Sequence, residues 1–456
     1  MTRQKKSVQS SRMTPLLAVV AFPGNNCEIE SLRAAKRNGF EGEIILWNEP
    51  AKIGKFDAYF LPGGFSFEDR GRSGMVSARE PIFDALRKEA SKGKIILGVC
   101  NGAQMVVESG MIPVGENPVP FALAENVRRD KIGHVLGTGY YNAWRRITPE
   151  RKDTAFTNAV SGMLRVPVAH GEGRFTSVDK KALDVLKSGK NVAFRYCDEN
   201  GEIDSAYPVT PNGAAFAVAM IVNDEGTVGA IMPHPERFYD SCDGDQVFQS
   251  MRKWIEEKKS PKEVKIGDFS KSKLPKIQPF RRDAAGLRLS IEKKLIITDN
   301  EAFTLSQAAS NIAGEALKLG RSTLYEISCD AKQKEKIIES GLILNPNKEV
   351  LIPCHSCPAS ECGVNSGRNP GAKLSVVKLD PRLRGDDERG NKKFAILPFE
   401  DDQATALSEK LTKLLGKKVE VKIYKCWDFG NASKNATQKV LQNRLLANPN
   451  SAEIFN

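Results

Sequence analysis

Residues 94–104 read KIILGVCNGAQ, and their order decides the fold. The apolar run Lys94–Val99 is too short for a helix and reads as a buried strand. It ends in Gly98-Val99-Cys100-Asn101-Gly102, and a helical pattern starts at once. A cysteine on so sharp a strand-to-helix turn has the form of a nucleophile elbow. Glycines on either side tolerate the turn and leave room for a substrate. The thiol then stands at a helix N-terminus, where the dipole stabilises negative charge. Taken alone, the segment fits a buried structural cysteine equally well, because single cysteines are common in cores.

Outward from this segment the same alternation continues. Leu16–Phe22, Glu43–Trp47 and Ala58–Leu61 read as strands, and helical patterns begin near Cys27, Ser77 and Asn101. Alternation of this kind predicts a parallel sheet with helices on both faces and ligands at the carboxyl ends of its strands. FLPGGFSFEDR, residues 60–70, places Gly63 and Gly64 just after a strand. A thiolate that attacks an amide carbon creates an oxyanion needing two N–H donors; the backbones of Gly64 and Asn101 are the candidates. GAIMPHPERF, residues 229–238, ends another strand with His234-Pro235-Glu236. His234 is the candidate base, and Glu236 the group that orients it and stabilises its cation.

The chain has 456 residues, 40% apolar and 27% charged, and a formal charge of +12. That length predicts two or three domains. Much of the positive excess lies in a polar tail, residues 1–13, read as disordered, and in the Lys-rich stretch 258–276. Neither interleaves aromatic residues with basic ones, so neither reads as a nucleic-acid surface. No apolar run is long enough for a membrane span, and the start lacks the apolar core of a signal peptide. A reducing cytoplasm is therefore expected, with the nine cysteines as thiols.

Residues 14–256 read as the α/β domain and 257–293 as a linker. Residues 294–456 hold a weak internal repeat. Lys294–Pro353 runs from KLIIT through STLYEIS to LILNPN; Lys393–Asn456 runs from KFAILPF through VEVKIYKCW to LLANPN. Two β-α-β-α units of this kind predict one compact α+β domain. Residues 354–392 fit neither copy. They read as an insertion, with a metal site as the alternative, since Cys354, Cys357 and Cys362 follow C-x2-C-x4-C spacing around His355.

LPGGFSFEDR, GVCNGAQ, PVAHGEGRF, PNGAAFAVAMI and MPHPERF, in that order, resemble class I glutamine amidotransferases. With FPGNNCEIE near the start, residues 14–256 are similar to the glutaminase subunit family of phosphoribosylformylglycinamidine synthase, PurQ. The resemblance implies a flavodoxin-like parallel sheet, Cys100 as nucleophile with His234 and Glu236 as its partners, and glutamine as substrate. It implies that His170 and Glu172 line a neighbouring surface toward substrate or synthase. Gln104, on the helix after the elbow, is a further candidate for substrate contact. The family commonly has a bulky aromatic where Ala103 stands, and residues 112–150 are atypical. The C-terminal copies more faintly resemble PurS, the small subunit of the same synthase. The implied partner is a separate PurL-like synthetase that holds ATP and magnesium, with no cofactor and no metal in this chain. The rival readings are a non-catalytic adaptor and a stand-alone cysteine hydrolase.

Overall fold

The computed structural model describes residues 14–238, 243–267, 276–278, 289–352, 393–398 and 401–455. The tail 1–13 and the insertion 354–392, with Cys354, His355, Cys357 and Cys362, lie outside the described residues. The first unit runs β1 (Leu16–Ala21), α1 (Glu28–Arg37), β2 (Glu41–Leu46), β3 (Ala58–Leu61), α2 (Ile82–Ser91), β4 (Ile95–Val99) and α3 (Asn101–Glu108). It continues with β5 (Tyr141–Pro149), β6 (Leu164–His170), α4 (Lys180–Ser188), β7 (Val192–Cys197), β8 (Val218–Val222), β9 (Val228–Ile231) and α5 (Asp245–Glu256).

One nine-stranded sheet takes the order β2-β1-β3-β4-β9-β8-β7-β5-β6. The five strands from β2 to β9 are parallel. The remaining ladders are antiparallel, so the expected parallel sheet forms one half of a larger mixed sheet. The reason is local. β8 and β9 are joined by a turn at residues 223–227, with Gly226 at φ +70°, and no crossover helix fits in so short a connection. β1, β3, β4, β8 and β9 are buried almost throughout, as strands covered on both faces must be. The helix expected near Ser77 starts instead at Ile82. Ser77–Arg79 forms only a 3-10 turn, and Glu80, held extended before Pro81, interrupts the helical path.

The segment read as a linker is partly structured. Val264 is buried, its N–H donating to Ser91 O at 3.0 Å, and the Gly267 N–H donates to Gly110 O at 2.9 Å. The second unit begins before Lys294. β10 (Ile277–Gln278) pairs with the last strand, and β11 spans Leu289–Leu295. The KLIIT strand is thus shifted: Ile296 and Ile297 lie past its end and are exposed, while Leu289 and Ile291 carry its buried face. Charged neighbours in LSIEKKL mask that face, because Glu292 is buried in bonds with Ser322 and Lys393.

Next come α6 (Asn300–Ala313), β12 (Gly320–Ile327), α7 (Lys334–Glu339), β13 (Glu349–Leu351), β14 (Lys393–Pro398), α8 (Asp402–Leu415), β15 (Val421–Asp428), α9 (Lys434–Gln442) and β16 (Ala452–Phe455). The sheet order β10-β16-β14-β15-β12-β11-β13 relates the two copies by an approximate two-fold axis through the antiparallel β12–β15 ladder. The repeat therefore extends to individual bonds. Asp299 caps α6 through Ala302 N, and Asp401 caps α8 through Ala404 N. Gly314 and Gly416, both left-handed, end the two helices. Ser306 Oγ accepts from Leu319 N, and Ser408 Oγ from Val421 N.

The two units are packed together. Met75 and Val76 of the first belong to the core formed by α6, α9, Trp427 and Phe429 of the second. Buried Asn448 donates to Glu108 Oε1 at 2.9 Å and to Phe121 O at 3.1 Å, and Asn450 donates to Val119 O at 3.0 Å.

Candidate active site

The carboxyl ends of β1, β3, β4 and β9 converge on one cavity of about 150 Å³, lined by Cys27, Gly64, Asp69, Cys100, Gln104, His170, Glu172, His234 and Arg237 among others. Parallel strands deliver these loops to the same edge, the place where doubly wound sheets bind ligands.

Cys100 has φ 51° and ψ −108°, a conformation that costs a non-glycine residue about 1–3 kcal/mol. Close packing over-determines it. A Cβ on Gly98 would stand 2.3 Å from Gly102 O, and one on Gly102 would stand 1.9 Å from Leu61 O. The two glycines let helix α3 start directly against β3 and β4. The Cys100 N–H donates to Ile231 O at 2.9 Å, which ties the elbow to the end of β9. The Cys100 thiol lies 3.5 Å from Ala169 O, on β6.

His234 follows β9 and is fully buried, its N–H donating to Pro167 O at 2.8 Å. Its Nδ1 lies 2.6 Å from Glu236 Oε1, leaving Nε2 for Cys100. Burial alone would lower its pKa; the negative charge of the Glu236 carboxylate, and then of the nearby Cys100 side chain, outweighs burial and lifts it to about 9. The imidazolium is thus the favoured form near neutral pH. Gly63 is the small residue in the middle: a Cβ there would meet His234 Cε1 at 2.8 Å and Cys100 Cβ at 3.4 Å.

Gly64, at φ +139°, passes so close to residues 25 and 26 that a Cβ would sit 2.6 Å from Asn25 Cα. Neither the Gly64 N–H nor the Asn101 N–H donates to a protein carbonyl among the described residues. The Asn101 side chain is buried and joins the two loops: Oδ1 accepts from Ser66 N at 3.0 Å, and Nδ2 donates to Asp69 Oδ1 at 3.1 Å and to Gln104 Oε1 at 2.9 Å.

Gln104, His170 and Glu172 all line the cavity. The amide of Gln104 is occupied by Asn101 and by Glu172 O, the latter at 2.6 Å, so it shapes the wall rather than offering a free amide. His170 is buried, with Nδ1 3.2 Å from Asn126 Oδ1; burial, and then the nearby His234, push its pKa down to about 3 and keep it neutral.

Cys27, Asp69 and Arg237, which the sequence alone does not single out, also line the cavity. All stand inside the quoted motifs FPGNNCEIE, FSFEDR and PHPERF. The Arg237 guanidinium donates to Glu30 Oε1 at 3.1 Å and to Cys27 Sγ at 3.3 Å. Burial, reinforced by Glu236, raises the Cys27 thiol far above its ordinary range, so it stays protonated. Burial, reinforced by Glu172, raises Asp69 to about 7. Cys27, His234 and Glu236 also bring metal-type donor atoms within 4.8 Å of one another. The 2.6 Å His234–Glu236 contact is nevertheless shorter than the roughly 3.3 Å between two ligands of a tetrahedral zinc, and marks a hydrogen-bonded dyad.

Residues 14–263 match the family of CobB/CobQ-like glutamine amidotransferase domains. The phosphoribosylformylglycinamidine synthase subunit PurQ of Methanothrix thermoacetophila is 39% identical over 262 residues, which cover 54% of this chain and 99% of that protein. The PurQ subunit of Methanopyrus kandleri is 35% identical over 244 residues, covering 52% of this chain and 97% of its own. A solved structure of PurLQS from Thermotoga maritima is 33% identical to the chain, covers 53% of it and all of the matched chain, and superposes with a TM-score of 0.43.

Proposed function

Because this chain belongs to the CobB/CobQ-like glutamine amidotransferase family, we propose that it is the glutaminase component of phosphoribosylformylglycinamidine synthase, with Cys100, His234 and Glu236 as its catalytic groups. The observation that carries the reading is that Cys100 and His234 line one cavity, with His234 Nδ1 2.6 Å from Glu236, inside the half of the chain that matches nearly the whole of PurQ.

Glutamine enters the Cys100 cavity with its side-chain carboxamide over the thiolate. Sulfur attacks the amide carbon, and the carbonyl electron pair moves to oxygen, where the Gly64 and Asn101 N–H groups receive it. The His234 imidazolium gives its proton to the nitrogen, the C–N bond breaks, and ammonia leaves a γ-glutamyl thioester on Cys100. Neutral His234 then takes a proton from water, which attacks the thioester and releases glutamate. Glu236 holds the imidazole by Nδ1 and offsets its charge. Each step uses side chains and backbone of this chain. ATP and magnesium belong to the synthetase partner, where ammonia converts formylglycinamide ribonucleotide to the amidine. The two C-terminal copies resemble PurS, and in this reading they bridge the glutaminase to that synthetase. The intact Cys100–His234–Glu236 line supports an enzyme over an adaptor.

The test measures glutamate release by the chain alone and with a purified PurL-type synthetase, ATP and formylglycinamide ribonucleotide. The complex is expected to turn over glutamine well above the isolated chain, as enzymes completed by closure do. Complex carrying Cys100→Ala should still form the amidine from ammonium salt. A chain that hydrolyses glutamine at full rate, indifferent to any synthetase, would sink the coupling.

A further inference from the structure

Between Gly64 and α2 the chain makes an improbable turn. Phe67, Glu68 and Asp69 have φ values of 50°, 57° and 52°, three consecutive non-glycine residues in the left-handed region. Each costs about 1 kcal/mol or more, so the turn persists only if its surroundings hold it. The inner side is held by the first unit: Ser66 N and the Asp69 carboxylate bond to Asn101, and Phe67 N donates to Pro23 O at 2.7 Å. The outer side is held by the second. Arg70 donates to Thr304 Oγ1 at 2.6 Å, and the Gly71 N–H donates to Glu301 Oε1 at 3.2 Å. Farther on, Arg79 donates to Asn443 O at 2.6 Å, while Met75 and Val76 are buried against α6 and α9.

Glu301 is itself fixed. It sits in the first turn of α6, and its other oxygen accepts from Arg321, which also bonds the α6 cap Asp299. The matching places in the second copy carry Gln403 and Ala406 where the first carries Glu301 and Thr304. The gripping pair is a property of α6, the helix that meets the turn, and not of the repeat.

Resting on the glutaminase reading, we propose that Glu301 is a positioning residue for glutamine hydrolysis. By holding Gly71 it pins the outer end of the left-handed turn whose inner end fixes Asn101 and Gly64, the two oxyanion donors. The second unit is thereby a structural part of the active site.

The experiment uses the full chain with Glu301→Ala and, as the conservative variant, Glu301→Gln, which keeps an oxygen for the Gly71 N–H. Glutamate release gives kcat and KM, and alkylation of Cys100 by iodoacetamide reports the thiol without calling on the oxyanion donors. Glu301→Ala is expected to lower kcat about tenfold, since small misplacements of catalytic groups cost up to about a hundredfold. KM should stay within about twofold, alkylation should match the unaltered chain, and Glu301→Gln should restore most of kcat. An unchanged kcat overturns the proposal, as does a loss of alkylation parallel to the loss of turnover. If Glu301→Ala does not fold, Thr304→Val removes only the Arg70 bond and is expected to lower kcat about threefold; an unaltered rate there overturns the proposal equally. Absence of glutamate release from the unaltered chain even with the synthetase, ATP and formylglycinamide ribonucleotide present would count against the glutaminase reading, whereas normal turnover with an indifferent Glu301 variant removes only the positioning role.

Discussion

Two left-handed turns border the Cys100 cavity, and they are held in different ways. The elbow at Cys100 is locked within one unit by glycines at 98 and 102 and by the bond from its own N–H to Ile231 O. The turn at Phe67–Asp69 has no glycine at its three left-handed positions and is fastened from both units. Strain in the elbow is therefore permanent, because no movement of a neighbouring domain releases it. Strain in the second turn depends on a domain contact and can be adjusted. Cys100, the proposed nucleophile, sits on the first kind of support, and the loop of the proposed oxyanion donor Gly64 leans on the second.

Breaking the elbow chemically has the largest expected effect. Cys100→Ala should abolish glutamine-dependent activity, by about 10⁴-fold or more as for other triad nucleophiles, while the fold stands; a glutamate-release assay and a melting curve together check this. Breaking it sterically comes next. Gly102→Ala puts a Cβ 1.9 Å from Leu61 O and should destabilise the first unit by about 3 kcal/mol, read from urea unfolding. A normal unfolding midpoint would mean that α3 can move away from β3 at little cost.

The dyad beside the elbow sets the pH response. With His234 raised to about 9, kcat/KM should fall as pH rises through about 9, where the imidazolium loses the proton owed to the leaving nitrogen. The folded value lies above the ordinary imidazole value of about 6.5. The associated stabilisation is accordingly complete below about 6.5 and fades as pH rises through about 9. Glu236→Gln removes the main attraction and should move the alkaline limb to lower pH, with kcat reduced less than by loss of Cys100. A limb that stays in place in this variant would assign it to another group.

The domain contact behind the second turn can be probed through the repeat itself. The two Asn-Pro-Asn turns have the same internal bonds: Asn347 N donates to Asn345 Oδ1, and Asn450 N to Asn448 Oδ1. Only the second is buried against the first unit, where Asn448 meets Glu108, whose carboxylate is kept ionised against its burial by Arg72. Asn448→Ala should cost about 1–3 kcal/mol by leaving buried polar groups unmatched. Asn345→Ala, in an exposed turn, should cost no more than about 0.5 kcal/mol. Equal costs would show that the turn's own geometry, and not the domain contact, supplies the stabilisation.

The elements most legible in the sequence were those whose cause is local. KIILGVCNGAQ carries strand, turn and helix in eleven consecutive residues, and the structure places each there. The same holds for Gly64 after β3, for His234-Pro235-Glu236 after β9, and for the repeat, whose helix caps and closing glycines recur copy by copy. Less legible were features whose cause lies elsewhere in the chain. The extent of β11 is hidden in the sequence because Glu292 looks solvent-facing until Ser322 and Lys393 cover it. The antiparallel half of the sheet is not legible in the sequence, because alternating strand and helix patterns do not record direction when a short turn replaces a helix.

By itself, then, the sequence determined the chemistry carried at the cavity: a thiol on an elbow, an imidazole with its carboxylate, and glycines where backbone must approach backbone. These follow from residue type and spacing over a few positions. Only the tertiary structure decided that Asn101 couples the elbow to the Gly64 loop, that Asp69 and Cys27 share the cavity, and that a helix more than two hundred residues away grips Gly71. Those contacts join segments with no common pattern, and their strength comes from burial, which is a property of the packed chain and not of any stretch of it.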